Sequence, residues 1–96
     1  MIDRMERIAK LLNREISVIL QGDIDDPRVQ DVTITRVEIT RDLRLARVFY
    51  VVPEDVEKED AEETEKALKK HARFIRGELA GKVSLKYMPR FSGSER

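Results

Sequence analysis

The stretch VTITRVEITRDLRLARVFYVV, residues 32–52, constrains this chain more than any other. It is rich in β-branched side chains, and apolar and polar residues alternate on both sides of a short polar link, RDLR, as half-buried strands do. So short a link joins antiparallel strands, because a parallel return needs a crossover of a dozen residues or more. The alternation changes phase within the first strand: Val32 and Ile34 share one parity, Val37 and Ile39 the other. A bulge near Thr35–Arg36 reconciles the two halves, and so does burial of one end on both faces. Pro53 closes the second strand, Leu45–Val52.

On either side of this hairpin the apolar period becomes helical. After Asp3, an N-cap type with Glu6 in capping-box position, apolar residues recur at Met5, Ile8, Ala9, Leu12, Ile16, Ile19 and Leu20, and Gly22 is a natural stop. GDIDDPRVQD reads as a loop, since Asp26 precedes Pro27. A second helix is expected from Asp60 to Ala80, with Glu63 completing a capping box and a stripe at Ala61, Thr64, Leu68, His71/Ala72, Ile75 and Leu79. KVSLKYM (82–88) alternates as a third strand, Pro89 breaks it, and RFSGSER reads as a frayed tail. The order α-β-β-α-β gives an α+β domain over residues 1–91 with a flexible tail at 92–96, its three-stranded sheet covered on one face by the helices. The expected core combines Ile8, Leu12, Ile16 and Ile19 with Leu68, Ile75 and Leu79, and with Val37, Ile39, Val48 and Tyr50 of the strands.

Several function classes are set aside by what the 96 residues contain. There is no apolar run long enough to span a membrane, and MIDRMERIAK has no signal-peptide core. The absence of cysteine excludes disulfides and thiolate chemistry; together these favour a cytoplasmic protein. With a single histidine, a histidine relay or metal cluster is impossible, and His71 is expected to be a half-buried packing residue. The carboxylates of DIDDP lack the spacing and glycine of a calcium loop and are expected to cap the loop instead. No phosphate loop or dinucleotide fingerprint is present. Neither a catalytic constellation nor a cofactor is expected.

Zero net charge conceals a partition. Residues 1–53 carry nine bases and nine acids; residues 54–65 carry eight acids against Lys58; residues 66–96 carry nine bases against Glu78 and Glu95. Such clustering can steer an anionic partner, but an acidic helix start and basic helix end also complement the helix dipole. At about 100° per residue, Lys66, Lys69, Lys70 and Arg73 form one stripe opposite Leu68, Ile75 and Leu79, with Arg76 on its flank. Lys82, Lys86 and Arg90 extend the positive character beyond the helix. These eight are the candidate RNA-binding residues, with a role in neutralising and positioning phosphates. Arg4, Arg7 and Lys10 of the first helix are expected to matter less, because Asp3 and Glu6 offset that face.

Asp26-Pro27-Arg28, the strand Val32–Glu38, Asp42-Leu43 with Ala46 and Val48, and the segment EETEKALKKHARFIRGEL ending in Phe74–Leu79 resemble, in order, the motifs of the ribosome-binding factor A family. The resemblance covers about residues 3–91. It implies a type II KH-like domain that binds the immature small ribosomal subunit and its rRNA near the 5′-terminal region, acts late in maturation, and supports growth in the cold. It implies neither enzymatic activity nor a cofactor. Family members lack the glycine loop with which KH domains clamp nucleotides, and no Gly-x-x-Gly occurs here. They usually carry Ala-x-Gly where the long helix kinks; here the matching residues are His71, Ala72 and Arg73. The helix is nevertheless expected to be interrupted near His71–Phe74, since Phe74 and Ile75 point in different directions on a straight helix. The tail also stops short of the charged extension of many members, so some RNA contact is expected to be missing.

The reading is thus a non-enzymatic small-subunit assembly factor, monomeric when free. Its rival is a small module that docks a protein partner through its charge-split helix.

Overall fold

A computed structural model of the chain describes residues 3–93. Helix α1 (Arg4–Val18) runs into a π-turn over Ile19–Asp23, followed by the one-turn helix α2 (Pro27–Gln30), strands β1 (Thr33–Ile39) and β2 (Ala46–Val51), the long helix α3 (Lys58–Leu79) and strand β3 (Arg90–Gly93). Asp3 caps α1 as expected: its Oδ1 accepts the Glu6 N–H at 2.9 Å, satisfying one of the donors a helix start leaves open. At the other end the Ile24 N–H reaches back to the Ile19 carbonyl (3.2 Å), which carries the coil past Gly22. The segment read as a loop holds α2. Pro27 sits at its N-terminus, where a missing N–H costs nothing, and Asp26 caps it through the Arg28 N–H at 3.0 Å.

β1 and β2 pair antiparallel, and the phase change is a bulge: Ile34 lies opposite Tyr50 and Arg36 opposite Phe49, leaving Thr35 extra. The extra residue lets Ile34 and Val37 face the core together. The Thr35 hydroxyl donates to the Phe49 carbonyl at 3.1 Å. In the connecting turn Leu43 takes a left-handed conformation, φ 60°, a region that side chains adopt at a cost. Asp42 holds the turn by accepting from the Thr40 hydroxyl (2.7 Å) and the Arg44 N–H (3.1 Å).

Three expectations about the second half are corrected. α3 begins at Lys58, not Asp60, because the Ala61 N–H already bonds the Glu57 carbonyl (2.9 Å). It then runs as one α-helix to Leu79, without interruption at His71–Phe74. Ile75 is buried and Phe74 is left 44% exposed, so the two never have to face the same way. Arg73, unlike glycine, also sustains the helix. The third strand, finally, follows Pro89 instead of preceding it. Val83 and Leu85 are buried in the core without belonging to a strand: alternation reports one-sided burial of an extended chain, not a ladder. Tyr87 makes one bond from its N–H to the Arg44 carbonyl (3.0 Å). Residues 90–93, read as tail, form β3, parallel to β2, and residues 94–96 lie outside the described part.

The sheet order is β1-β2-β3, with the crossover from β2 to β3 made by α3, as a parallel pair requires. α1 packs on β1, and α3 on α2 and β3. Between them and the sheet lie the expected Leu12, Ile16, Ile19, Leu68, Ile75, Leu79, Val37, Val48 and Tyr50, all buried, with Ile8 and Ile39 partly so. Ile24 and Val29 close the core from the α2 side.

Candidate nucleic-acid interface

The first half of α3 is acidic and the second half basic, and the fold decides which of the cations are engaged. Lys66 Nζ lies 3.4 Å from Glu63 Oε1, and Lys69 Nζ 3.2 Å from Glu65 Oε1. Both are exposed pairs within one helix, of the kind worth little in water and readily exchanged for another anion. Lys70 and Arg73, both exposed, have no ion-pair partner among the described residues.

The outer candidates divide. Arg76 is half-buried and its Nη1 donates to the Lys86 carbonyl at 3.2 Å, pinning the post-helix segment to α3. Lys82 Nζ donates to Glu15 Oε1 at 2.7 Å, joining the exit of α3 to α1. Both act first as ties within the fold. Lys86 is exposed, its ammonium 5.5 Å from the Tyr87 ring centre. Arg90 lies on β3 beside Arg47 of β2 in the parallel register.

Lys69 and Arg90 meet across an open groove of about 500 Å³ between α3 and the start of β3, walled also by Tyr87, Met88 and Ser92. Tyr87 is 51% exposed and Met88 48% exposed. The alternation of KVSLKYM assigned Tyr87 to the strand's buried parity, so its place in the groove wall went unread. The available signal was an aromatic set between Lys86 and Arg90 and followed by proline.

The other candidates for chemistry are structural. Asp26, buried, accepts through Oδ1 from Arg28 Nε (3.0 Å) and through Oδ2 from Arg28 Nη2 (2.8 Å), while His71 Nε2 lies 2.9 Å from the same Oδ2. The Arg28 guanidinium, and after it the His71 ring, hold the Asp26 carboxyl well below the usual carboxylate range. The Thr64 hydroxyl is 3.0 Å from the Arg28 carbonyl. His71 is therefore half-buried, as expected, but its polar edge is used: it straps α2 to α3. No group of three or more metal-ligating side chains occurs among the described residues, and no helix among them is long and apolar enough to cross a membrane.

A mixed three-stranded sheet with its long helices on one face, a cationic helix and no Gly-x-x-Gly loop define a KH-like domain without the nucleotide clamp. The model of the family described as Ribosome-binding factor A matches residues 4–92, and the chain belongs to that family. Ribosome-binding factor A of Nitrosomonas eutropha is 40% identical over 87 residues, spanning 91% of this chain and 73% of its own length. That of Acetivibrio thermocellus is 44% identical over 89 residues, 92% of this chain and 71% of its own. The crystal structure of ribosome-binding factor A from Thermus thermophilus superposes with a TM-score of 0.73 at 22% identity over 96% of both chains. A Thermotoga maritima solution structure gives 0.71 at 26% identity over 93% of this chain and 83% of that one. A Thermus thermophilus ribosome-binding factor A fitted into the cryo-EM map of a 30S complex gives 0.63 at 24% identity, covering 93% and 91%.

Proposed function

We propose that the chain binds the small ribosomal subunit during its assembly, through the backbone of small-subunit rRNA near its 5′ region. The contact is made by Lys66, Lys69, Lys70 and Arg73 of α3, with Lys86 and Arg90 across the groove; Arg76 and Lys82 hold these elements in place. The observation that carries this reading is the pair Lys70 and Arg73, exposed without ion-pair partners among the described residues on the basic half of α3. Membership of a ribosome-binding family supports it. Without a glycine clamp, single-stranded bases are not gripped one by one, and what is recognised is the shape and phosphate pattern of folded RNA. The protein works by binding and not by catalysis, needs no cofactor, is monomeric when free, acts in the cytoplasm and supports growth in the cold. Half-exposed Phe74, on the same helix, favours the rival reading of a protein partner.

Sedimentation of tagged protein with small subunits separates the two. Co-migration at low salt and release at high salt is the expected result, because phosphate contacts release counterions and weaken as salt rises. No co-migration at low salt would overturn the proposal, and co-migration that resists high salt would favour a protein contact.

A further inference from the structure

The solvent side of α1 carries Arg4, Arg7, Lys10 and Arg14, all exposed, within a sector of about 120° at 3.6 residues per turn. They surround an open depression of about 680 Å³ together with half-buried Ile8 and Leu11. None of the four has an ion-pair partner among the described residues. The acids expected to offset this face, Asp3 and Glu6, form no ion pair with it among the described residues, and neither lines the depression. Asp3 is turned to its capping bond with the Glu6 N–H, Glu6 lines a separate groove with Met5, Ala9, Glu38 and Arg47, and Glu15 is taken by Lys82 at 2.7 Å.

Nothing in the fold explains this placement. The basic half of α3 suits its helix dipole, but Arg4 and Arg7 sit in the first turns of α1, where the dipole disfavours cations. Lys10 and Arg14, four apart, repel as well. The arrangement costs helix stability, so its benefit lies outside the chain. An anionic lipid surface fits poorly, since interfacial helices bury a broad apolar face with aromatic residues, and α1 has no aromatic side chain. Three guanidiniums, planar forks that match phosphate oxygens, along about 15 Å of helix, fit a polyphosphate backbone.

We infer that α1 is a second phosphate-binding surface for rRNA, separate from the α3 strip. α1 packs over β1 and α3 over β3, at opposite edges of a sheet ordered β1-β2-β3, so the two surfaces would engage different RNA segments and hold them in relation to one another. The inference rests on the small-subunit reading above.

Its test uses purified small subunits and four variants: Arg4→Gln/Arg7→Gln/Arg14→Gln, the same three positions changed to Lys, Lys69→Ala/Lys70→Ala/Arg73→Ala, and the glutamine and alanine sets combined. The glutamine variant should bind about tenfold more weakly for each phosphate it no longer neutralises at 0.1 M salt, relative to a roughly 1 M reference. It should melt at or above the wild-type temperature, because repulsion and dipole conflict are removed. The lysine variant should keep most of the affinity, and the combined variant should be weakened by the sum of the two separate effects on a logarithmic scale. A glutamine variant that binds like wild type while the α3 variant is weakened would overturn the inference and leave the small-subunit reading standing. So would a loss with a lowered melting temperature that lysine does not restore. Wild-type protein that fails to bind subunits would remove both.

Discussion

Asp26 does two jobs with one carboxylate. It caps α2 through the Arg28 N–H, and it receives the Arg28 guanidinium and the His71 ring from 45 residues further along. The first job was half legible: a capping role was expected of these carboxylates, but in a loop, whereas Asp26 before Pro27 starts the one-turn helix α2. The second was not legible, since no local pattern says which residue 45 positions away will close over it. The sign of the pH effect follows from the depressed titration. A carboxyl whose folded pKa lies below its ordinary value of 3.8 adds stability that is full above that value and is lost as pH falls through the folded one. Asp26→Asn keeps a capping side chain but loses the charge-assisted bonds. It should cost about 1–3 kcal/mol at neutral pH, and less as the pH drops below about 4. Urea unfolding of the two proteins at pH 7 and pH 3 checks this, and a difference that does not shrink in acid would show that the Arg28 and His71 contacts add nothing.

Among the elements, the hairpin was the most legible: its phase change left a bulge or two-faced burial open, and the structure has the bulge, which skips one residue so that Ile34 and Val37 share a face. β3 was the least. Val83 and Leu85 alternate because they are buried, and the short ladder beyond Pro89 has a single inward side chain, Phe91, in a four-residue strand. α3 was right in position to within two residues at its start, but the break expected at His71–Phe74 from the different directions of Phe74 and Ile75 does not occur. The unbroken helix carries its own prediction. Arg73→Gly should destabilise the protein by about 1 kcal/mol relative to Arg73→Ala, the cost of glycine in an exposed helix interior, read from denaturant midpoints. Equal midpoints would mean that the helix is already weak there. Leu12 and Ile75 are fully buried, one on each long helix. Leu12→Ala and Ile75→Ala should each cost about 2–5 kcal/mol, and a loss within about half a kcal/mol at either would contradict the packing described.

On the scale of the whole molecule, an acidic middle and a basic C-terminal third become a helix with one end of each sign. The charge partition showed where the bases are but not which are engaged: Arg76 and Lys82 look like their neighbours in the sequence, and only the folded chain puts the Lys86 carbonyl and Glu15 against them. The cations left on α3 define the surface proposed to meet rRNA. The most direct measurement of their role is the salt dependence of binding to purified small subunits, for the wild-type chain and for Lys69→Ala/Lys70→Ala/Arg73→Ala. These side chains are exposed, so the variant should fold normally. It should bind more weakly, with a log–log salt slope flatter by up to about one unit for each phosphate left without its cation. A folded variant with the wild-type affinity and the wild-type slope would show that the strip is only a solvated helix face.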